Sequence, residues 1–529
     1  MYHPPRREHN SRRISMFVTA LAFALVAAAC GTRVTDGQVS ARASGSPDFP
    51  TDASRASGTD TAGEVTDRGS ANVGDSADVG GRGGSGGTDP GGASAGGTGD
   101  GPGAGTGEAS GPDPAGGSGD EAPASAAASG PLSQGVTDTE IRIGASGPLS
   151  GIAGFLGEEA FGAIDSYFQL VNSQGGVNGR KLRLITYDDR FDPSQTLANV
   201  RRLWEQDKVA AIFLAFGDPV ADYATRNEIP TVVFGVTPKS FSSKYPTVYP
   251  IVGNALIWTQ EVIRGLKDQG VFQEGMKVGM LYDTQILDVS PYLPFLKSAW
   301  EDAGAEVVST DPFNLTDGDC TNLVLKMKDL DIDYWDFQGL GWVLCASAAQ
   351  RQQYRPNIGW GNWPTSVGGL ASQVGPWVEG IWGGAQGDQP TGAPRQKTAA
   401  HDEYVNAIKR YHPEIASFMH YESPATLGYW VGAKLLVAAL QAQGPHITQQ
   451  GVLDWIASVE NFDPGITPPI ISMAPNCKTG SEVVWIAQWQ WDAEKKEAVR
   501  TPATGYFTSD QKDKYGGKCF LTKISDELG

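Results

Sequence analysis

From Ile141 onward the apolar positions switch between two periods. Ile141 to Ala145 is a short apolar run that ends at Ser146-Gly147-Pro148, and it reads as a strand and its turn. Ala160, Ile164, Phe168 and Val171 then recur at helical spacing, and Gln174-Gly175-Gly176 stops that helix. The pattern continues with a strand at Lys181–Tyr187, a helix through Leu197 and Leu203, and a strand at Val209–Ala215. A helix near Asp222 leads to a strand at Thr231–Val236. The theme restarts at Trp258 with a helix to Asp268 and a strand at Lys277–Tyr282. A helix around Leu296 and Trp300, a strand at Ala305–Ser309, a helix at Cys320–Leu330 and a strand at Asp333–Leu340 follow. Another helix starts at Val343. Short apolar strands alternating with amphipathic helices predict α/β architecture, with parallel sheets covered by helices on both faces. Two such series in a row predict two doubly wound lobes, with ligands expected at the carboxyl ends of the strands.

Composition divides the chain before this pattern begins. Of its 529 residues 68 are glycine, and 27 of those fall between Gly31 and Gln134. That stretch has one aromatic residue, Phe49, and no lysine, whereas all 14 tryptophans lie at or after Trp204. So little apolar surface cannot offset chain entropy, so residues 30–134 are expected to be a disordered Gly/Ser/Asp-rich linker. The folded part is expected over 135–529. As a flexible coil the linker would span roughly 55 Å. GxSxG at Gly83–Gly87 and Gly92–Gly96, and GxGxxG at Gly81–Gly86, lie inside it without the flanking strand and helix those motifs need.

The formal charge is −19, of which about −13 falls on the folded part. An acidic body argues against nucleic acid as a partner. At the other end, Arg6, Arg7, Arg12 and Arg13 precede an apolar run from Met16 to Ala29, too short to span a bilayer. The run ends Val-Ala-Ala-Ala-Cys. This resembles a bacterial lipoprotein signal over residues 1–29, although Ala27 stands where a Leu, Val or Ile is usual. The resemblance implies acylation of Cys30, export, and anchoring to the outer face of the cytoplasmic membrane. An ordinary cleaved signal is the alternative, and Ser11-Arg12-Arg13 hints at twin-arginine export.

Four further cysteines, Cys320, Cys345, Cys477 and Cys519, suggest two bridges in an exported chain. Three pairings are open, and the simplest is Cys320–Cys345 with Cys477–Cys519. Each closure would contribute about 3–4 kcal/mol. No CxxC or HExxH spacing supports a metal, and no cofactor is expected. His401, His412, His420 and His446 are scattered, and His420 beside Glu422 reads as a solvated face. An enzyme is not expected.

Three motifs in order carry a specific resemblance: Ile141-Arg-Ile-Gly-Ala-Ser-Gly-Pro-Leu-Ser-Gly, Asn172-Ser-Gln-Gly-Gly-Val-Asn-Gly-Arg-Lys-Leu and Tyr187-Asp-Asp-Arg-Phe-Asp-Pro. Together they resemble the leucine/isoleucine/valine-binding family of solute receptors for ABC transporters, the type 1 periplasmic-binding fold. The resemblance implies two lobes joined by a three-strand hinge. The first lobe is expected over about 136–253 and 387–466, the second over about 254–386 and 467–500. It also implies a ligand held in the cleft by hinge closure, with ABC permease and ATPase subunits as partners. A sensor of the same fold, working with a membrane signalling partner, is the alternative.

Matching the family's ligand positions onto this chain gives Ser150 and Phe155 after the first strand, Gly217 and Asp218 after the third, and Thr237 after the fourth. On the second lobe it gives Gln285, Trp342 and Trp363. Asp218 reads either as a ligand contact or as a helix cap. Amino-acid binders carry a hydroxyl run at 217–218 and an acid near 363, and this chain lacks both. By family the solute is a branched-chain amino acid. These departures point instead to a larger or more apolar solute, such as an aromatic or alicyclic acid or amide.

Overall fold

The computed structural model describes residues 131–528, except 152, 216, 286, 363–367, 387–397, 419–422, 482–483 and 503–516. The expected signal, Cys30, most of the expected linker, Trp363, His420 and Glu422 lie outside the described residues.

The first lobe is built on β1 (Glu140–Gly147), β2 (Lys181–Asp188), β3 (Ala211–Leu214), β4 (Thr231–Val233) and β5 (Val248–Pro250). They form one parallel sheet in the order β2-β1-β3-β4-β5. Both faces are covered, and the strand period of two shows which residues serve each. Phe213 and Val232 join the core under the helix Gly154–Ser173, whereas Ile212, Leu214 and Val233 join the core under the helices Pro193–Glu205 and Ala221–Arg226. Strand β5, only three residues long, was not visible in the apolar pattern.

The second lobe begins with the helix Ala255–Asp268, capped by Asn254, whose side chain accepts from Leu256 N at 3.0 Å and Ile257 N at 3.1 Å. Then come β6 (Lys277–Tyr282), β7 (Glu306–Pro312), β8 (Tyr334–Gln338), β9 (Gly359–Trp360) and β10 (Trp382–Gln386), all parallel. The chain returns to the first lobe, where the helices Ala399–Tyr411 and Pro424–Ala442 pack on Gly154–Ser173. Trp430 meets Tyr167 and Tyr404 there, edge to face, at centroid distances of 4.9 and 5.2 Å.

Three strands then form a small antiparallel sheet, β11 (Glu460–Phe462), β12 (Ile470–Ala474) and β13 (Cys477–Lys478). Finally β14 (Val484–Asp492) and β15 (Glu497–Pro502) add an antiparallel edge to the second sheet, giving the order β15-β14-β10-β9-β8-β6-β7.

Two boundaries differ from expectation. The second lobe does not resume at 467. Strand β12 instead packs against the helix Gln449–Ala457 of the first lobe, and Ile470 and Met473 join the main core. The crossing comes at Gly480–Ser481, which runs beside Val252–Gly253: Gly253 N donates to Ser481 O at 2.9 Å and Ser481 N to Ile251 O at 3.1 Å. Gly480 has φ +65°, and a Cβ there would stand 2.1 Å from the Val252 carbonyl oxygen, so the two hinge strands need glycine at this point. The second difference is a return after β15. The helix Phe520–Leu528 packs on the first-lobe helix Pro238–Phe241, a passage beyond the three expected.

Both expected disulfides are present, Cys320–Cys345 and Cys477–Cys519. Among the described residues no helix is long and apolar enough to cross a membrane, and no group of His, Cys, Asp and Glu is arranged to hold a metal ion.

Candidate ligand cleft

The carboxyl ends of β1, β3 and β4 open onto a cleft with about 530 Å³ of empty space, part of it open to solvent. Gly147 and Pro148 follow β1, Ala215 follows β3, and Phe234 follows β4. Leu156, Gly157, Ala160 and Phe161 come from the start of the helix Gly154–Ser173, and Ala425 and Tyr429 from the helix Pro424–Ala442. The second lobe contributes Leu287 after β6 and Leu340 after β8. Among the described residues, every lining side chain is apolar except Tyr429, whose hydroxyl donates to Leu214 O at 2.7 Å. Burial drives that phenol's pKa well above its ordinary value, so it stays neutral. Its ring stacks on Phe234 at 6.1 Å.

Close backbone packing fixes the floor. A Cβ on Gly157 would stand 1.7 Å from the Pro148 carbonyl oxygen, so only glycine lets the helix begin directly on the β1 turn.

The Tyr187–Pro193 motif sets the cleft's near wall, each acid with a different task. Asp188 accepts from Leu149 N at 2.9 Å, Arg190 N at 3.0 Å and Ser150 Oγ at 2.5 Å. Burial would raise its pKa, but these bonds and the Arg190 charge outweigh it and hold the carboxyl below its ordinary range. Asp189 is buried and accepts from Ser146 Oγ at 3.0 Å, Thr196 Oγ1 at 2.9 Å and Phe191 N at 3.0 Å; burial pushes its pKa up. Asp192 caps the helix Pro193–Glu205, accepting from Ser194 N at 2.8 Å and Gln195 N at 3.2 Å. Between the acids, Arg190 and Phe191 take positive φ of 54° and 61°, and this turn delivers Phe191 to the cleft.

The polar candidates read from the sequence have partners within the protein. Ser150 is exposed and holds Asp188. Thr237 is buried and donates its hydroxyl to Asp218. Burial raises the Asp218 pKa to about 6, against the lowering effects of the Thr237 bond and Lys239. Asp218 does not cap the helix that follows it, whose N-cap Val220 has no side-chain bond. Gly217 is buried, and a Cβ there would meet Val233 at 2.9 Å, so it serves packing on the sheet. Gln285 is exposed, and its Oε1 accepts from Thr316 Oγ1 at 2.7 Å.

The aromatic candidates divide. Trp342 is 1% exposed and packs with Phe337 at 6.4 Å and Trp360 at 6.3 Å, so its indole fills the second lobe's core. Phe155 projects from the first lobe and packs, half-buried, on that same second-lobe cluster. It is therefore a contact between lobes. Phe161, Phe191, Phe234, Tyr429, Leu287 and Leu340 were not singled out from the sequence, because an apolar cleft wall and an apolar core carry the same periodic signal.

None of the described histidines lines the cleft. His412 lies between Asp165 and Glu414, with Nε2 2.9 Å from Asp165 and Nδ1 2.7 Å from Glu414, and the Asp165 bond is the first cause of its raised pKa.

Known proteins share this architecture. The periplasmic binding protein family matches residues 140–497. The Leu/Ile/Val-binding protein homolog 7 of Brucella abortus is 25% identical over 204 residues, which are 37% of this chain. The match covers 51% of that relative, so the chain spans about half its length. Among solved structures, a fatty acid ABC transporter substrate-binding protein from Thermomonospora curvata superposes with a TM-score of 0.59 at 23% identity, over 72% of this chain and 95% of that one. A branched chain amino acid ABC transporter protein from Thermus thermophilus with bound valine superposes with a TM-score of 0.60 at 16% identity, over 72% of this chain and 100% of that one. At these identities the superpositions speak for the fold. With the family match extending over more than half of the sequence, from β1 into β15, the chain belongs to the periplasmic binding protein family.

Proposed function

We propose that this chain is an extracytoplasmic solute receptor that delivers a small, largely apolar organic ligand to the permease and ATPase subunits of an ABC importer. The ligand enters between the lobes, and closure around it presents the form the transporter accepts. Acylation of Cys30 would hold the receptor at the outer face of the cytoplasmic membrane, with the Gly-rich segment as its tether. No catalytic step is part of this reading.

One observation carries the ligand class: both lobes offer apolar side chains to the cleft, while Ser150, Asp218, Thr237 and Gln285 are engaged by protein partners. A zwitterionic amino acid would have to bury two charges without a partner among the described lining side chains, which is costly. An apolar body with a neutral polar group such as an amide loses far less. The solved relatives span this range, since one is a fatty acid transporter's binding protein and another holds valine.

The test is a thermal-shift panel on the purified full chain, with branched-chain amino acids, aromatic acids, neutral amides and fatty acids. Stabilisation by apolar members without stabilisation by leucine or valine supports the reading. The anchor is tested separately by radiolabelled palmitate, which should label the wild type and not Cys30→Ser.

A further inference from the structure

The helix Phe520–Leu528 is bonded to both lobes. Its first-lobe grip is Asp526, whose carboxylate accepts from Ser242 Oγ, Ser243 N and Ser243 Oγ, each at 2.7 Å. The adjacent residue, Ser525, reaches the other lobe. Its hydroxyl lies 2.9 Å from the hydroxyl of Tyr292, which belongs to the second lobe, and both residues are fully buried. Tyr292 also accepts from Asn254 Nδ2 at 3.0 Å, and Asn254 is the residue at which the hinge strand becomes the first helix of the second lobe.

The helix is also fastened to the hinge itself. Cys519 is bonded to Cys477, and Thr522 Oγ1 accepts from Lys478 N at 2.8 Å. Lys478 is buried, and its Nζ donates to Ser242 O at 2.9 Å and Tyr245 O at 2.6 Å, gripping the same first-lobe loop that Asp526 holds. Two residues later comes the strand pair of Gly480–Ser481 with Val252–Gly253.

From this arrangement we infer that the C-terminal helix is a strap that restrains opening of the two lobes. Rotation about the paired hinge strands moves Tyr292 relative to Ser242–Ser243, and Ser525 and Asp526 are neighbours on one rigid helix. Opening must therefore break the weaker of the two grips, which among the described residues is the one hydrogen bond between Ser525 and Tyr292. In this structure the lobes are together, since Phe155 packs on the second-lobe cluster and Leu287 and Leu340 share a core with Phe161 and Phe234. The strap thus favours the closed arrangement before any ligand binds, and it sets how much differential affinity a ligand must supply. The inference rests on the proposed hinge closure.

The experiment needs no ligand. Spin labels at Glu158→Cys and Thr316→Cys, both exposed, report the interlobe distance in the full chain. Their neighbours Phe155 and Leu315 pack on one second-lobe cluster, so opening lengthens that distance. Ser525→Ala and Tyr292→Phe should each raise the open-to-closed ratio about fivefold, the worth of one ordinary buried hydrogen bond. Asp526→Asn, which loosens the other grip, should act in the same direction. Circular dichroism and melting temperature check that each variant is folded. If the wild type already samples long distances and the three folded variants match it, the strap is overturned while hinge motion stands. If all four proteins give one narrow, identical distance, the lobes do not move and the closure reading falls with it.

Discussion

Thr237 donates its hydroxyl to the carboxylate of Asp218, joining the loops that follow β4 and β3 at the edge of the cleft. The two residues are candidates for reading the ligand, and in this structure each is the other's partner. Removing the hydroxyl leaves a half-buried carboxyl without its donor, a change worth about 1–3 kcal/mol. Thr237→Val should lower stability by that amount in urea unfolding, and Thr237→Ser should restore most of it. Unchanged stability in Thr237→Val would free the hydroxyl for a role toward ligand.

A fully buried acid gives a pH dependence. Glu159 is 1% exposed, and Ser423 donates its hydroxyl to it. Burial pushes its pKa from 4.5 up to about 8, against the lowering effect of the Ser423 bond. The folded pKa lies above the unfolded one, so the folded state keeps a proton that the unfolded chain releases. This contribution is fully present below about pH 4.5 and is lost as pH rises toward 8. Glu159→Gln keeps the neutral form throughout. Whatever its offset at pH 5, its melting temperature should gain on the wild type between pH 5 and 8.5. Parallel melting curves across that range would contradict the assignment.

The Cys320–Cys345 bridge ties the start of the helix Thr321–Leu330 to the helix Trp342–Arg351 across 25 residues of sequence. Closing a loop of that length restricts the unfolded chain by about 3–4 kcal/mol. Cys320→Ala with Cys345→Ala should lose about that much stability in guanidinium unfolding, with a steeper transition because the unlinked unfolded chain is more expanded. A loss under 1 kcal/mol would mean that the reduced chain retains this structure.

The alternation of strands and helices was legible because it follows from burial alone. Ile212, Phe213 and Leu214 show why: all are apolar, and the sheet simply sends alternate ones to opposite faces. Disulfide pairing was legible as the simplest choice. Strands β5, β11 and β13 were not, because two- and three-residue strands are set by their neighbours. The cleft was half legible. Its place at the strand ends follows from topology, but the side chains that line it do not. Trp342 lies in a second-lobe core already rich in indoles, whereas Phe191 reaches the cleft through a positive-φ turn held by Asp188 and Asp189. The sequence shows that turn only as a run of acids around an arginine and a phenylalanine.

The most direct test of the apolar cleft is calorimetric titration of the full chain at pH 7 with leucine and with neutral apolar amides of similar or larger size. The account predicts saturable one-site binding of at least one amide with a negative heat-capacity change, stabilisation of about 2.7 kcal/mol at a hundred times its Kd, and no heat from leucine. Tight one-site binding of leucine, with none of the amides bound, would contradict it.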